Sequence, residues 1–272
     1  MSSSEPEGLF LFRGSDVLYL DEGTQRLCVP PGRLSHGVPS DVAVRRRFSM
    51  DGSVWEAVSL IQEAATPRGF GAMPFRSALG QFPERELRPA TKGLGLLNWL
   101  NNAIHCGRCG SPLEDIPEGE EGFGGRRCPA CSLSVFPRIS PAVIVLVRRG
   151  EKALLAHNAQ FPAGRFGLIA GFVDPGESLE DTVRRELAEE AGIAVSDIRY
   201  CVSQSWPFPD SLMIAFTARW ESGEARPDGV EISELRWCSP DDLPAIPPVG
   251  SVARRLIDEF VESQGGRRLD RE

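Results

Sequence analysis

Two groups of residues in this chain have the types and spacing for chemistry. Glu186, Glu189 and Glu190 stand at i, i+3 and i+4 in a stretch of helical apolar spacing, so they share an arc of about 100° on one helix face. Like charges at these spacings destabilise an isolated helix. Leu179, Val183 and Leu187 form an adjoining apolar stripe, which puts the carboxylates near the buried edge of the helix. Carboxylates crowded there call for a cation, and the hard divalent ions Mg²⁺ and Mn²⁺ prefer oxygen ligands and pair with phosphates. Taken alone, the helix reads at least as readily as a solvated surface helix laced with Glu/Arg pairs. The second group is Cys106/Cys109 and Cys128/Cys131, two CxxC pairs with 18 residues between them, the spacing of a four-cysteine zinc ribbon. Four thiolates close a tetrahedral shell. The zinc, one per chain, is then structural, tying the ends of a small module without a core of its own. Unligated or redox-active thiols are the other reading of the pairs. A ribbon also suits a module that binds nucleic acid or a protein partner, so it does not decide function.

The elements that must position these groups can be read around them. The helix, 178–191, is entered through the turn Pro175-Gly176 and stopped by Gly192. The apolar runs at 142–147, 152–157 and 166–173 read as buried strands, with further strands at 212–220 and 232–238 and a terminal helix over 252–262. Upstream, residues 1–88 alternate short apolar runs with Gly, Pro and Asp, which predicts short strands and turns. A helix is expected over 94–104, leading into the first CxxC, and the acidic, Gly-rich stretch 114–125 reads as a solvated loop.

The composition is that of an ordinary globular protein: 272 residues, 41% hydrophobic, 25% charged. It excludes disordered and collagenous chains. The 38 acids against 30 bases leave a formal charge of −8, which argues against broad electrostatic binding of nucleic acid or an anionic membrane. It does not argue against an anionic substrate, because a bound cation reverses the local field. Seven cysteines are an odd number for a disulfide framework; Cys28, Cys201 and Cys238 are scattered. The longest aliphatic run has six residues, far short of the ~18 that span a bilayer. The first residues have no basic stretch followed by an apolar core. The expectation is a cytoplasmic protein with no membrane association.

The wider pattern around the helix is more specific. Gly171, five residues, Glu177, seven residues, then Arg185-Glu186-Leu187-x-Glu189-Glu190-x-Gly192-Ile193 resembles the Nudix box at all nine defined positions. The resemblance implies an α/β/α sandwich that hydrolyses a nucleoside diphosphate linked to another moiety. It implies Glu186 and Glu190 as principal ligands of Mg²⁺ or Mn²⁺. Glu189 becomes a ligand or a base that orients water, Glu177 and Arg185 a brace for the loop, and the carbonyl of Ala170 a further ligand. Downstream, Ser203-Gln204-Ser205-Trp206-Pro207-Phe208-Pro209-Asp210-Ser211 resembles the SQPWPFPxS signature of the NADH pyrophosphatases, which also carry a zinc ribbon and an N-terminal domain ahead of the Nudix domain. Two prolines stiffen an extended segment and fix the rings of Trp206 and Phe208. Gln204 and Ser211 offer hydrogen bonds to a nucleotide.

By the same resemblance the residues from Gln204 through Asp210 to Ser211 bind substrate and Phe172 stacks on a base. Glu231 completes the metal site and Ala253 makes a backbone contact to substrate. Arg76 reaches a phosphate. For Trp206 and Phe172 ordinary core packing is the alternative, for Glu231 an exposed strand-end carboxylate, for Arg76 a surface role. Three positions depart from the family: Ser205 replaces a proline, Asp174 a common Glu, and Phe136, also placed against substrate, a tyrosine whose hydroxyl contact is lost. The expected class is α+β: an N-terminal β-rich domain over 1–93, a helix plus zinc ribbon over 94–138, a Nudix sandwich with a mixed sheet over 139–265 and a disordered tail over 266–272. The implied reaction is hydrolysis of NAD(H) to NMN(H) and AMP by a homodimer, with NAD-capped RNA as a second substrate. The rivals are a pyrophosphatase preferring ADP-ribose or another dinucleotide, and an inactive Nudix protein acting as a binding module.

Overall fold

The computed structural model describes residues 5–23, 26–36 and 41–266; the expected tail, from 267 on, lies outside the described residues. The chain divides into two compact units, Met1–Ile139 with Pro207–Asp210, and Ser140–Trp206 with Ser211–Glu272.

In the first unit, strands β1 (Gly8–Arg13), β2 (Asp16–Leu20), β3 (Val42–Met50), β4 (Ser53–Leu60) and β5 (Phe70–Pro74) form a sheet in the order β3-β4-β1-β2-β5. The β3–β4 hairpin turns on Asp51-Gly52, both with positive φ, the Asp-Gly pairing that a two-residue turn of matching twist requires. One face buries Leu9, Leu11, Leu18, Val58 and Leu60. The short α1 (Phe75–Ala78) and the long α2 (Glu84–Asn102) follow, and Phe10, Phe12, Phe75 and Phe82 pack ring against ring. The helix begins ten residues before the expected start at 94. Pro89 reads as a breaker, but it forfeits one hydrogen bond near the N-terminal end. The stripe Ala90, Leu94, Leu97 and Leu100 is buried throughout, which outweighs that loss. Gly93 lies on the same helix, and a β-carbon there would come within 2.9 Å of Ala57 Cβ. Three two-residue strands, β6 (Glu114–Asp115), β7 (Arg126–Arg127) and β8 (Ser134–Val135), complete the unit as a small antiparallel sheet.

The second unit carries β9 (Ser140–Arg149), β10 (Lys152–Asn158), β11 (Ile169–Phe172), α3 (Leu179–Ala191), β12 (Ala194–Trp206), β13 (Ser211–Ser222), β14 (Ile232–Cys238) and α4 (Val252–Ser263). The mixed sheet runs β12-β13-β9-β10-β14, with β11 also paired to β9; β9 and β13 are parallel. Along β9 the odd residues Val143, Val145 and Val147 pack with Val183, Leu187 and Ala191 of α3. The even residues Ile144 and Leu146 pack with Leu256, Ile257 and Phe260 of α4. A strand covered on both faces needs no alternation, and this is why 142–147 is uninterruptedly apolar. The result is an α/β/α sandwich within an α+β chain. No helix among the described residues is long and apolar enough to cross a membrane.

Candidate active site and zinc centre

In the first unit the four cysteines of the two CxxC pairs converge: one sulfur from each of Cys106, Cys109, Cys128 and Cys131 lies within 4.8 Å of the others. Cys106 and Cys131 Sγ are 3.6 Å apart, Cys109 and Cys128 Sγ 3.4 Å. A tetrahedron of thiolates at ~2.3 Å from zinc has edges of about 3.8 Å, so the donor set fits that ion. Each pair sits in the same turn. The amides of Gly110 and Ser132 donate to the carbonyls of Cys106 and Cys128, and those cysteines' amides return bonds to Ser111 and Leu133. Gly110 and Ser132 both have positive φ. The Ser111 hydroxyl and amide hold the Cys109 thiol down to about 6, and the Arg108 amide lowers that of Cys106; both favour the ligating thiolate. Arg126 fastens this module to the end of α2, donating to Asp115 at 2.9 Å and to the carbonyl of Ala103 at 2.7 Å.

In the second unit, α3 carries the carboxylates. Ser178 caps it, its hydroxyl oxygen accepting from the Asp181 amide, and Gly192, at φ 67°, ends it. Arg185 is the hub. Its guanidinium donates to both oxygens of Glu177 at 2.6 and 3.0 Å, to Glu186 at 2.8 Å, to Glu189 at 3.1 Å and to the carbonyl of Phe172 at 2.9 Å. Glu177 also accepts from the Asp174 amide and from the buried Thr182 hydroxyl. The Arg185 bonds, then the Asp174 amide, push its carboxyl down to about 2. Gly171 has a steric reason: a β-carbon there would overlap the carboxyl group of Glu186.

Glu186 and Glu190 are each 7% exposed. Burial raises the Glu186 carboxyl. Burial, then the charges of Glu186, Glu231 and Asp228, push Glu190 up to about 8. Among the described residues Glu190 draws no hydrogen bond or ion pair, while Arg185 holds Glu186 and Glu189. The glutamates do not converge as tightly as the cysteines, which are the only group of three or more metal-binding side chains to do so among the described residues. Glu231 is exposed in the turn before β14, where its charge still acts on Glu186 and Glu190, and its amide and those of Val230 and Ile232 donate to Asp228. Ala170 pairs with Ile144 across β11 and β9. A buried, partnerless carboxylate amid like charges fits a divalent cation, which prefers oxygen donors.

The remaining candidates divide between the units. Phe172 ends β11 with its ring more than half exposed. Gln204 donates to the Gly250 carbonyl at 2.7 Å and accepts from the Val252 amide at 2.8 Å, so it ties β12 to the start of α4. Ala253 follows, its neighbours' amides taken by Gln204 and by the cap Ser251. Ser205 and Trp206 pair with Leu212 and Ser211. Phe136, Arg76, Pro207, Phe208, Pro209 and Asp210 belong to the first unit. There Pro207–Asp210 is a turn with a cis Phe208-Pro209 bond rather than an extended segment, because β12 and β13 pair up to Trp206 and Ser211 and leave only four residues to reverse the chain. Arg76 lies over the Phe208 ring at 4.5 Å, Phe75 packs beside it, and Arg138 faces Asp210 at 3.7 Å. Three residues escaped the sequence reading: Thr182, Asp228, and Asn98, whose amide donates to the carbonyls of Pro207 and Pro209. Only Asp228 carried a local signal, the Asp-Gly pair of a turn.

The NUDIX domain model matches residues 138–260. The NAD-capped RNA hydrolase NudC of Salmonella typhimurium is 38% identical over 240 residues, covering 87% of this chain and 90% of that protein. That of Chromobacterium violaceum is 43% identical over 185 residues, 68% of each chain. Among solved structures, a NUDIX hydrolase from Nitrosomonas europaea is similar at a TM-score of 0.51 and 27% identity, over 60% of this chain and 93% of its own.

Proposed function

The chain belongs to the NUDIX hydrolases, in the NADH pyrophosphatase family, and from that premise we propose that it hydrolyses the pyrophosphate of NAD(H) to NMN(H) and AMP and removes NAD caps from RNA 5′ ends. The observation that carries the chemistry is Glu190, buried without a partner beside Glu186. Glu186, Glu190, Glu231 and the Ala170 carbonyl would hold Mg²⁺ or Mn²⁺. Such an ion, when bound, polarises phosphoryl oxygens and lowers the pKa of water. Glu189, exposed at the helix surface, accepts a proton from the attacking water. Arg185 and Glu177 keep the loop and helix in register for it. The exposed ring of Phe172 offers a stacking face to a base, and the Ala253 amide a donor to the substrate. Ser205, Trp206 and Ser211, at the paired ends of β12 and β13, contribute further contacts.

Zinc in the four-cysteine centre is structural. We further infer a homodimer, because Phe123, Phe136 and Ile139 leave apolar side chains more than half exposed near the ribbon. A cytoplasmic setting suits seven cysteines of which none pairs in a disulfide, four of them gathered for zinc.

The test is a panel of NADH, NAD, ADP-ribose and NAD-capped RNA, each with Mg²⁺ or Mn²⁺. NADH and the capped RNA should be cleaved faster than ADP-ribose, and chelation should stop every reaction. Equal rates on NADH and ADP-ribose would overturn the substrate assignment. Full activity in both Glu189→Gln and Glu190→Gln would overturn the role of the carboxylates.

A further inference from the structure

We propose that Asp228 is a positioning residue that sets Glu231 against Glu186 and Glu190, and so tunes the affinity of that cluster for a divalent cation. The inference rests on reading those glutamates as a cation site. Glu231 lies in the irregular connection between β13 and β14, where a lone carboxylate would sample many directions. Here its backbone is held from both sides. The amides of Val230, Glu231 and Ile232 donate to the Asp228 carboxylate at 3.2, 3.2 and 2.8 Å. The Gly229 amide closes the turn on the Ile232 carbonyl at 3.0 Å, and the Glu231 carbonyl accepts from the Ala159 amide at 2.9 Å. Gly229 adopts the left-handed conformation, φ 74°, that this closure demands. The Ser233 hydroxyl donates to the His157 carbonyl at 3.1 Å and anchors the strand that follows.

Three consecutive amides aimed at one carboxylate make a compact cradle. Asp228 therefore spends its oxygens on the backbone of the turn, and the exposed Glu231 is the acid of that turn whose side chain is left to turn toward the cluster. Loss of Asp228 should free Glu231 while Glu186 and Glu190 keep their places on α3. Outer residues that orient metal ligands commonly account for about 10- to 100-fold in metal affinity.

The experiment uses the full-length, zinc-loaded chain and Mn²⁺ as probe. Binding is measured by electron paramagnetic resonance of free Mn²⁺, alongside NADH hydrolysis across Mn²⁺ concentration. Asp228→Ala should weaken Mn²⁺ binding by about 10-fold or more, with turnover at saturating Mn²⁺ within about threefold of the parent. Asp228→Asn keeps an accepting oxygen and should recover most of the affinity. In a Glu231→Gln background, Asp228→Ala should change Mn²⁺ binding by less than about twofold. Gly229→Ala, which strains the turn without touching a carboxylate, should repeat the pattern and serves if Asp228→Ala melts too low to assay. An unchanged Mn²⁺ affinity in Asp228→Ala would overturn the proposal. So would an equal loss with and without Glu231. Failure of the underlying cation site is a separate result: Glu190→Gln would then bind Mn²⁺ like the parent.

Discussion

Glu190 and Gly171 show how single residues prepare this site. Burial and neighbouring acids push the Glu190 carboxyl up to about 8, while the same group in the unfolded chain titrates near 4.3. The folded state therefore holds an extra proton between those values, and its stability falls as pH rises through that window. A cation must displace that proton. Apparent Mn²⁺ affinity should accordingly strengthen by up to about tenfold per pH unit below 8 and level off above it, as calorimetric titrations from pH 6 to 9 will show. A flat profile would mean that Glu190 is already charged in the ion-free protein. Gly171 makes the complementary point about space. Its missing side chain is the room that the Glu186 carboxyl occupies, so Gly171→Ala should displace the carboxylate by about an ångström and cut NADH turnover by about a hundredfold. Circular dichroism should remain native; unimpaired turnover would show that Glu186 can move without consequence.

At the level of elements, caps and ties decide where the chemistry sits. Gln204 binds both the Gly250 carbonyl and the Val252 amide, so Gln204→Ala removes two half-buried hydrogen bonds. It should cost about 1–3 kcal/mol, which thermal melts will register as a lower midpoint even in the absence of substrate. A midpoint unchanged in the free protein, with weakened NADH binding, would instead assign the amide to the nucleotide. The carboxylate helix was legible in the sequence almost to the residue, because Ser178 and Gly192 mark its ends by cap chemistry and its apolar stripe is regular. The long strand β12 was not. Its register shifts at three places and Asp197 takes a positive φ, so bulges erase the alternation that identifies a strand. The start of α2 was hidden by Pro89. Asp228 stayed invisible as part of the site because its task, holding three amides, depends on a turn geometry that spacing alone does not encode.

For the whole molecule, the acidity and the exposed apolar surface bear on partners. Residues 177–190 hold six acids and two arginines, a net −4 that is half of the formal −8; Glu186, Glu189 and Glu190 belong to the proposed cation site, while Glu177 pairs with Arg185 and Asp181 with Arg184. A phosphate substrate then meets a cation there. The apolar surface argues for a second copy of the chain. Phe123 and Phe136 lie at the turn formed by Gly122–Gly125, the Phe136 ring being within 2.8 Å of where a Gly125 β-carbon would stand, and Ile139 follows three residues on. Single exposed apolar residues need no explanation, but several near one module mark an interaction surface. Light scattering should give about twice the 29.7 kDa of one chain. Phe136→Asp combined with Ile139→Asp would place charges in a dehydrated interface, where an unpaired charge costs several kcal/mol, and should yield monomers that still carry one zinc each. A double variant that remains dimeric would place the interface elsewhere. A parent chain that is monomeric across micromolar concentrations would end the dimer reading and leave Phe136 exposed for the substrate alone.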